Sequence, residues 1–465
     1  MRMPSLPLYL LLLFFGLLPL RTDAMYTIGV NYGQLGDNLP TPQKAVELIK
    51  SMKIGKVKIY DANPAILKEL ANTDIKVCVM LPNEQIVAVA NNMTLAEMFV
   101  RRNISVFYPS TKIRTLLVGN EILSASNQTW PYLVPAMINL HKALRKCRIR
   151  KIKVSTPLAM DMLQGPLFPP SNGSFRTDIG DSIMKPMLSF LHHTRAPLFV
   201  DVYPFFAREN DATNISLEFA LFAPDANVYK DSNGPEYGNL LDVQLDAVLA
   251  AMAKKGFPKV EITISETGWP TREDLDERGA SVHNAALYNR RLVKRALAKL
   301  PLGTPRRPGR LIDTYIFALF NENLKGGPTT ERNWGLLYPN GTRVYDIDLT
   351  GYLNETQYRL SPASPVEAPP GQLKIWCIAN PHADATTLGR ALSYACGQGS
   401  ADCKAIQPGQ RCFWPNSTVS HASYAFNNYY NQFHKTGATC IFGGVANLTT
   451  QDPSHGSCIF SPSYV

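Results

Sequence analysis

From residue 26 to about residue 350 one pattern recurs: a short apolar run rich in Val and Ile, then a longer stretch of helical character. The runs are Ile28–Gly33, Lys56–Ala62, Ile75–Pro82, Ile113–Glu121, Lys151–Leu158, Pro197–Tyr203, Val260–Thr267 and Leu311–Phe320. Nearly continuous apolar strands are buried on both faces, and their alternation with helices predicts a parallel sheet. Eight such units in about 325 residues predict an α/β fold, a (β/α)8 TIM barrel. An open doubly wound sheet is the second reading. It calls for a Gly-rich phosphate loop after the first strand, which Gly29-Val30-Asn31-Tyr32-Gly33 does not supply. Thr41-Pro42 opens one helix, with Ala45, Val46 and Ile49 on its apolar face. Another is expected over Asp242–Lys254, where Leu245, Val248, Leu249 and Met252 keep helical spacing. The long connection from Pro204 to Val260 is expected to lay a subdomain over one face.

The pattern changes at both ends. Residues 1–24 carry Arg2, an apolar run from Leu6 to Leu20 and a small-x-small ending at Thr22 and Ala24, which reads as a secretory signal peptide. Pro7 and Pro19 and the short run argue against a membrane anchor, and the Ser461–Val465 ending carries no lipid-anchor signal. The barrel domain is therefore expected over residues 25–352. A Pro-rich linker follows over 353–372, then a small disulfide-rich domain over 373–465. That last domain holds Cys377, Cys396, Cys403, Cys412, Cys440 and Cys458, expected as three disulfides among fifteen open pairings. Cys78, inside an apolar run, is expected to be a buried free thiol.

Nine Asn-x-Ser/Thr sites suit an exported glycoprotein: Asn92, Asn103, Asn127, Asn172, Asn214, Asn340, Asn354, Asn416 and Asn447. The net charge is +10, with the basic residues scattered. Scattered charge keeps a protein soluble and could hold it on an acidic wall polymer; it does not suggest a nucleic-acid partner. The eight His residues form no metal-ligand spacing, so neither metal nor cofactor is expected, and the chain is expected to be a monomer.

Catalytic groups of a parallel barrel collect at the C-terminal ends of its strands. The fourth run ends Val118-Gly119-Asn120-Glu121 and the seventh ends Ser265-Glu266-Thr267-Gly268-Trp269. A lone Glu at a strand end is ordinarily solvated or salt-bridged. Two at one rim are what glycoside hydrolysis needs, one held as an acid and the other as a carboxylate. Asn120 could bond a sugar hydroxyl, and Trp269 could offer a flat face to a pyranose. Glu322 and Lys325, three apart beyond the eighth run, read either as a surface ion pair or as support for Glu266. Glu331 could orient Lys325, and Trp334 reads equally as sugar platform or packing.

Seven segments carry a resemblance: Ile28–Gly33, Lys58–Asp61, Val118–Glu121, Asp201–Pro204, Ile264–Pro270, Phe320–Lys325 and Glu331–Gly335. They resemble, in family order, the plant β-1,3-glucanases of glycoside hydrolase family seventeen. The resemblance implies a retaining endo-β-1,3-glucanase acting on callose-like glucan in the cell wall or apoplast. It maps the acid/base onto Glu121 and the nucleophile onto Glu266. It also maps Asn120, Glu322 and Lys325 onto supporting positions and Tyr32, Tyr60 and Tyr203 onto rim aromatics. After Lys325 the chain reads Gly326-Gly327-Pro328, a mild departure from the family pattern. A wall-binding protein without turnover and a glucan transglycosylase are the alternatives.

The cysteine order, with Trp376-Cys377, Pro408–Cys412, His421–Tyr430 and Gly456–Phe460, resembles the carbohydrate-binding module of family forty-three, or X8 domain. That implies binding to β-1,3-glucan. Most aromatics of such a small domain are core; Trp414 and Tyr430 are the candidates for sugar contact.

Overall fold

A computed structural model describes residues 28–124, 127–232, 234–275, 279–359, 373–434 and 438–465. The expected signal peptide and residues 360–372 of the expected linker lie outside these. The barrel strands are β1 (Gly29–Tyr32), β2 (Lys56–Ile59), β3 (Lys76–Leu81), β4 (Lys112–Val118), β5 (Lys153–Ser155), β6 (Pro157–Ala159), β7 (Leu198–Asp201), β8 (Ile262–Thr267) and β9 (Thr314–Ile316). All pairings among them are parallel, in the order β5-β4-β3-β2-β1-β9-β8-β7-β6. The two end strands, β5 and β6, are consecutive in the chain with only Thr156 between them. The sheet thus closes through the backbone, and the fifth expected strand is present as two short pieces.

Alternation along the strands divides the core into two layers. Val57 and Ile59 of β2, Val77 and Val79 of β3 and Leu116 and Val118 of β4 face the surrounding helices. Cys78, Met80, Leu117, Phe199 and Tyr315 fill the barrel interior, with Tyr60 packed against them. Cys78 is buried and free, its sulfur 3.1 Å from the Tyr315 hydroxyl.

Both expected helices form. The first, α1, is Pro42–Ser51; the Thr41 side chain accepts from Lys44 N–H, and Ala45, Val46 and Ile49 are buried. The second, α2, is Leu240–Lys254 and starts two residues early because Asn239 caps it. The chain between β7 and α2 contributes two short helices and a small hairpin.

The C-terminal unit has its own core. Strand β10 (Lys374–Ala379) pairs antiparallel with β11 (Ala446–Thr449) and β12 (Ser463–Tyr464). Helices α3 (Ala385–Cys396) and α4 (Thr418–Phe433) pack with it. The disulfides are Cys377–Cys440, Cys396–Cys403 and Cys412–Cys458. Trp376, Tyr424, Phe426 and Tyr430 are buried, so Tyr430 is core and not a sugar contact.

Candidate active site

Glu266 sits at the end of β8, where the register shifts against both neighbouring strands between Ile264 and Glu266 or Thr267. A bulge breaks strict alternation, so consecutive side chains can serve one face. Here Ser265 and Glu266 both reach the Lys58 ammonium, at 2.9 Å from Ser265 Oγ and 2.6 Å from Glu266 Oε1. Tyr60 Oη donates to the same Oε1 at 2.6 Å, and Tyr203 Oη donates to Oε2 at 2.7 Å. Burial works to raise the Glu266 carboxyl, but the Lys58 charge and the three hydrogen bonds outweigh it and hold the group below its ordinary range.

Lys58 lies fully buried between Glu266 and Asp201, whose nearest oxygen is 3.9 Å from Nζ. The Ser265 hydroxyl works to lower the Asp201 carboxyl, without forming a close hydrogen bond to either oxygen. Burial, then the nearby Glu266 charge, push Asp201 well above the usual carboxylate range. One cation therefore faces one carboxyl that it holds low and one that its surroundings push up.

Glu121 follows β4 on a turn made by Gly119 at φ 67° and Glu121 itself at φ 49°. The left-handed region costs a non-glycine residue roughly 1–2 kcal/mol. Contacts on both sides hold the turn: Asn120 N–H donates to Asn83 Oδ1 at 2.7 Å, and Glu121 N–H donates to Pro157 O at 3.2 Å. Burial, then the Glu266 charge, raise the Glu121 carboxyl to about 7. The two rim carboxyls are thus driven in opposite directions, an arrangement that can deliver a proton from one and a nucleophilic oxygen from the other.

Glu121 and Glu266 line a cavity of about 560 Å³ together with Asn120, Tyr60, Tyr203 and Trp334. A second cavity, of about 1030 Å³, adjoins it: Glu121, Tyr203 and Phe206 line both, and Glu266 lines only the smaller. The chain between β7 and α2 walls the larger one through Asn210, Phe219 and Tyr229.

Trp269 and Tyr32 lie away from the smaller cavity, while Glu322, Lys325, Glu331 and Trp334 line it beside Glu266. Trp269 is fully buried; its indole N–H donates to Gly279 O at 2.9 Å and its ring packs on Phe205 and Tyr288, so no sugar can reach it. Lys325 does not meet Glu266. It pairs with Glu331 at 3.0 Å and lies 4.3 Å from the centre of the Phe317 ring. Glu322 accepts from Leu35 N–H at 2.8 Å and packs so tightly on Gly33 that a Cβ there would lie 2.3 Å from its oxygens. Tyr32 is buried, edge-on to Phe320. Trp334 is both packing and wall: it contacts Tyr203, Phe206 and Phe317 and still lines the cavity, its Nε1 without a partner among the described residues.

Lys58 and Asp201 were missed as site residues, although both fall within the motifs that carry the resemblance. Strand periodicity could have found Lys58. With Val57 and Ile59 facing the helices, residue 58 must point into the barrel, where an ammonium requires an anion.

Residues 28–349 match the glycosyl hydrolases family 17, and residues 375–447 match the X8 domain. The chain belongs to glycosyl hydrolases family 17. Among its curated relatives, a probable glucan endo-1,3-beta-glucosidase of Arabidopsis thaliana is 45% identical over 439 residues, covering 94% of this chain and 91% of the relative. A glucan endo-1,3-beta-D-glucosidase of Olea europaea is 41% identical over 435 residues, 93% of each chain. Among solved structures, a beta-1,3-glucanase and allergen of Cryptomeria japonica pollen superposes with a TM-score of 0.66 at 41% identity, over 70% of this chain and 99% of that one. One of two plant beta-glucan endohydrolases gives 0.63 at 38% identity, over 69% of this chain and all of the other. In this family 17 chain the candidate glycan acceptors are exposed, except Asn103, which is half-buried. No helix among the described residues is long and apolar enough to cross a membrane.

Proposed function

We propose that this protein is a secreted endo-β-1,3-glucanase that hydrolyses internal bonds of a callose-like glucan with retention of configuration, and that its X8 domain holds the polymer. The observation that carries the reading is the opposite setting of two carboxyls on one cavity, Glu266 kept ionised and Glu121 raised to about 7. In the first step Glu121 gives its proton to the glycosidic oxygen while Glu266 attacks the anomeric carbon, forming a glycosyl ester and releasing the leaving chain. Oε2 accepts one hydrogen bond where Oε1 accepts two, so Oε2 is the freer oxygen for attack. In the second step the Glu121 carboxylate takes a proton from water, which displaces Glu266 from the sugar. The three disulfides suit an oxidising compartment such as the cell wall or apoplast.

The test is reducing-sugar release from a linear β-1,3-glucan by the wild-type protein and by Glu266→Gln. Release by the wild type that is lost in the variant is the expected result. A wild type that binds the glucan and releases nothing would overturn the hydrolase reading. Products longer than the starting oligosaccharide would indicate transfer to a second glucan instead.

A further inference from the structure

Of the twelve Trp, Tyr and Phe residues of the C-terminal unit, five are buried and four half-buried, and Trp414, at 72%, is more exposed than Tyr464 or Tyr394. An exposed indole on a floppy loop would mean little. This loop is fixed at several points. Cys412, two residues earlier, is buried and bonded to Cys458. The carbonyl of Phe413 lies 2.8 Å from His421 Nε2, on α4, and the carbonyl of Trp414 lies 3.2 Å from His455 Nε2. A carbonyl can only accept, so His421 Nε2 is the donor to Phe413, while His455 faces two carbonyls, Trp414 O from Nε2 and Pro453 O from Nδ1 at 3.1 Å. The Phe413 ring packs against both the His421 ring and the indole, with centroids 5.5 Å away in each case. The backbone on either side of Trp414 is thus tied down before any ligand arrives, which reduces the ordering cost of binding.

A rigid, flat, wet indole suits the C–H face of a pyranose ring: its apolar face is covered while the sugar hydroxyls stay in water. We propose that Trp414 is the platform on which the X8 domain stacks a glucosyl unit of a β-1,3-glucan chain. This rests on the glucan-binding reading of the module given above. Asn416, an exposed candidate acceptor two residues on, offers a competing source of the same chemistry, because a glycan there could cover the indole. The glucan is favoured because the catalytic domain of the same chain presents a glucan-cutting site.

The experiment uses the full chain. Adsorption to insoluble linear β-1,3-glucan is measured for Glu266→Gln, which leaves the polymer uncut, and for the same protein carrying Trp414→Ala, Trp414→Phe or Asn416→Gln. Turnover of short soluble oligosaccharides is measured on the Trp414 variants with Glu266 intact. Three unbroken disulfides, read by mass, and an unchanged thermal transition establish that each variant is folded. The expected result is at least a tenfold loss of adsorption for Trp414→Ala, partial recovery with Phe, no loss for Asn416→Gln, and unchanged kcat and KM on short substrates. Equal adsorption with and without the indole would overturn the platform. So would a Trp414→Ala loss that disappears in the Asn416→Gln background, since the indole would then serve the chain's own glycan. If the parent protein fails to adsorb at all, the glucan-binding reading of the module falls and the platform falls with it.

Discussion

Lys58 and Glu266 meet at 2.6 Å inside the barrel, and that contact sets the charge of the carboxylate on which the proposed chemistry depends. The second carboxyl beside Lys58, Asp201, stands farther off, at 3.9 Å, and is pushed upward where Glu266 is held low. Several measurable consequences follow from this division.

Lys58→Met removes the cation that counters burial at Glu266. A neighbouring opposite charge lowers a carboxyl by about 1–3 pH units. The acid limb of kcat/KM is therefore expected to move to higher pH, with the largest losses on the acid side. A uniform loss at every pH would mean that Lys58 only supports the fold.

Above about pH 7 the Glu121 carboxyl loses its proton, so kcat/KM is expected to fall about tenfold per pH unit. Glu121→Gln should abolish this basic limb. It should also spare the first step for substrates whose leaving group needs no protonation, seen as a burst of an activated phenol. A basic limb that persists in the variant would assign it to another group.

Asp201→Asn replaces the raised carboxyl by a neutral amide of the same shape and is expected to keep activity within a few-fold. The sign of the stability effect is fixed by linkage. The unfolded chain releases the Asp201 proton above its ordinary value of 3.8, while the folded chain keeps it, so wild-type stability falls as pH rises from there towards the raised folded value. The Asn variant lacks this loss. Its advantage in thermal unfolding should widen as pH rises from about 4 towards the raised folded value, by at most about 1.4 kcal/mol per unit. A constant gap would mean that Asp201 is already ionised at the lower pH.

Trp269→Ala and Trp334→Ala should separate core from wall. Emptying the Trp269 site is expected to cost about 3–5 kcal/mol of stability in denaturant unfolding, with little change of KM in the protein that remains folded. Trp334→Ala should instead raise KM for oligosaccharides, since its ring borders the cavity beside Glu266.

Cys377→Ala with Cys440→Ala removes the disulfide closing the longest loop of the C-terminal unit, an effect of about 2–5 kcal/mol in a small domain. Adsorption to insoluble glucan should be lost while turnover of short soluble substrates continues. Parallel loss of both would mean that the barrel depends on the C-terminal unit.

The barrel was legible because its strands are buried on both faces, which writes them as near-continuous apolar runs. The rim carboxylates were legible because each follows such a run directly. What periodicity does not carry is depth. Trp269 and Trp414 are the same residue type, each beside a Pro, yet one is buried beneath the barrel rim and the other stands in solvent. Lys325 drew notice as the cation near the rim, but reach across the barrel depends on the radial position of each strand, and the bulge at Ser265 and Glu266 turns that carboxylate towards β2 instead.

The donors to Glu266 also order events in time. Lys58 and Tyr60 lie 208 and 206 residues before it in the chain, and Tyr203 lies 63 before it. Contacts of such range form only after much of the intervening chain has collapsed, since their loop-closure entropy must be met first. A nascent chain emerging from synthesis is therefore expected to carry an ordinary, solvated Glu266, and the proposed nucleophile to acquire its donors only as the barrel assembles. On the proposed mechanism, catalytic competence arrives together with the completed barrel, and a truncated or half-folded copy is expected to release no reducing sugar from the polymer.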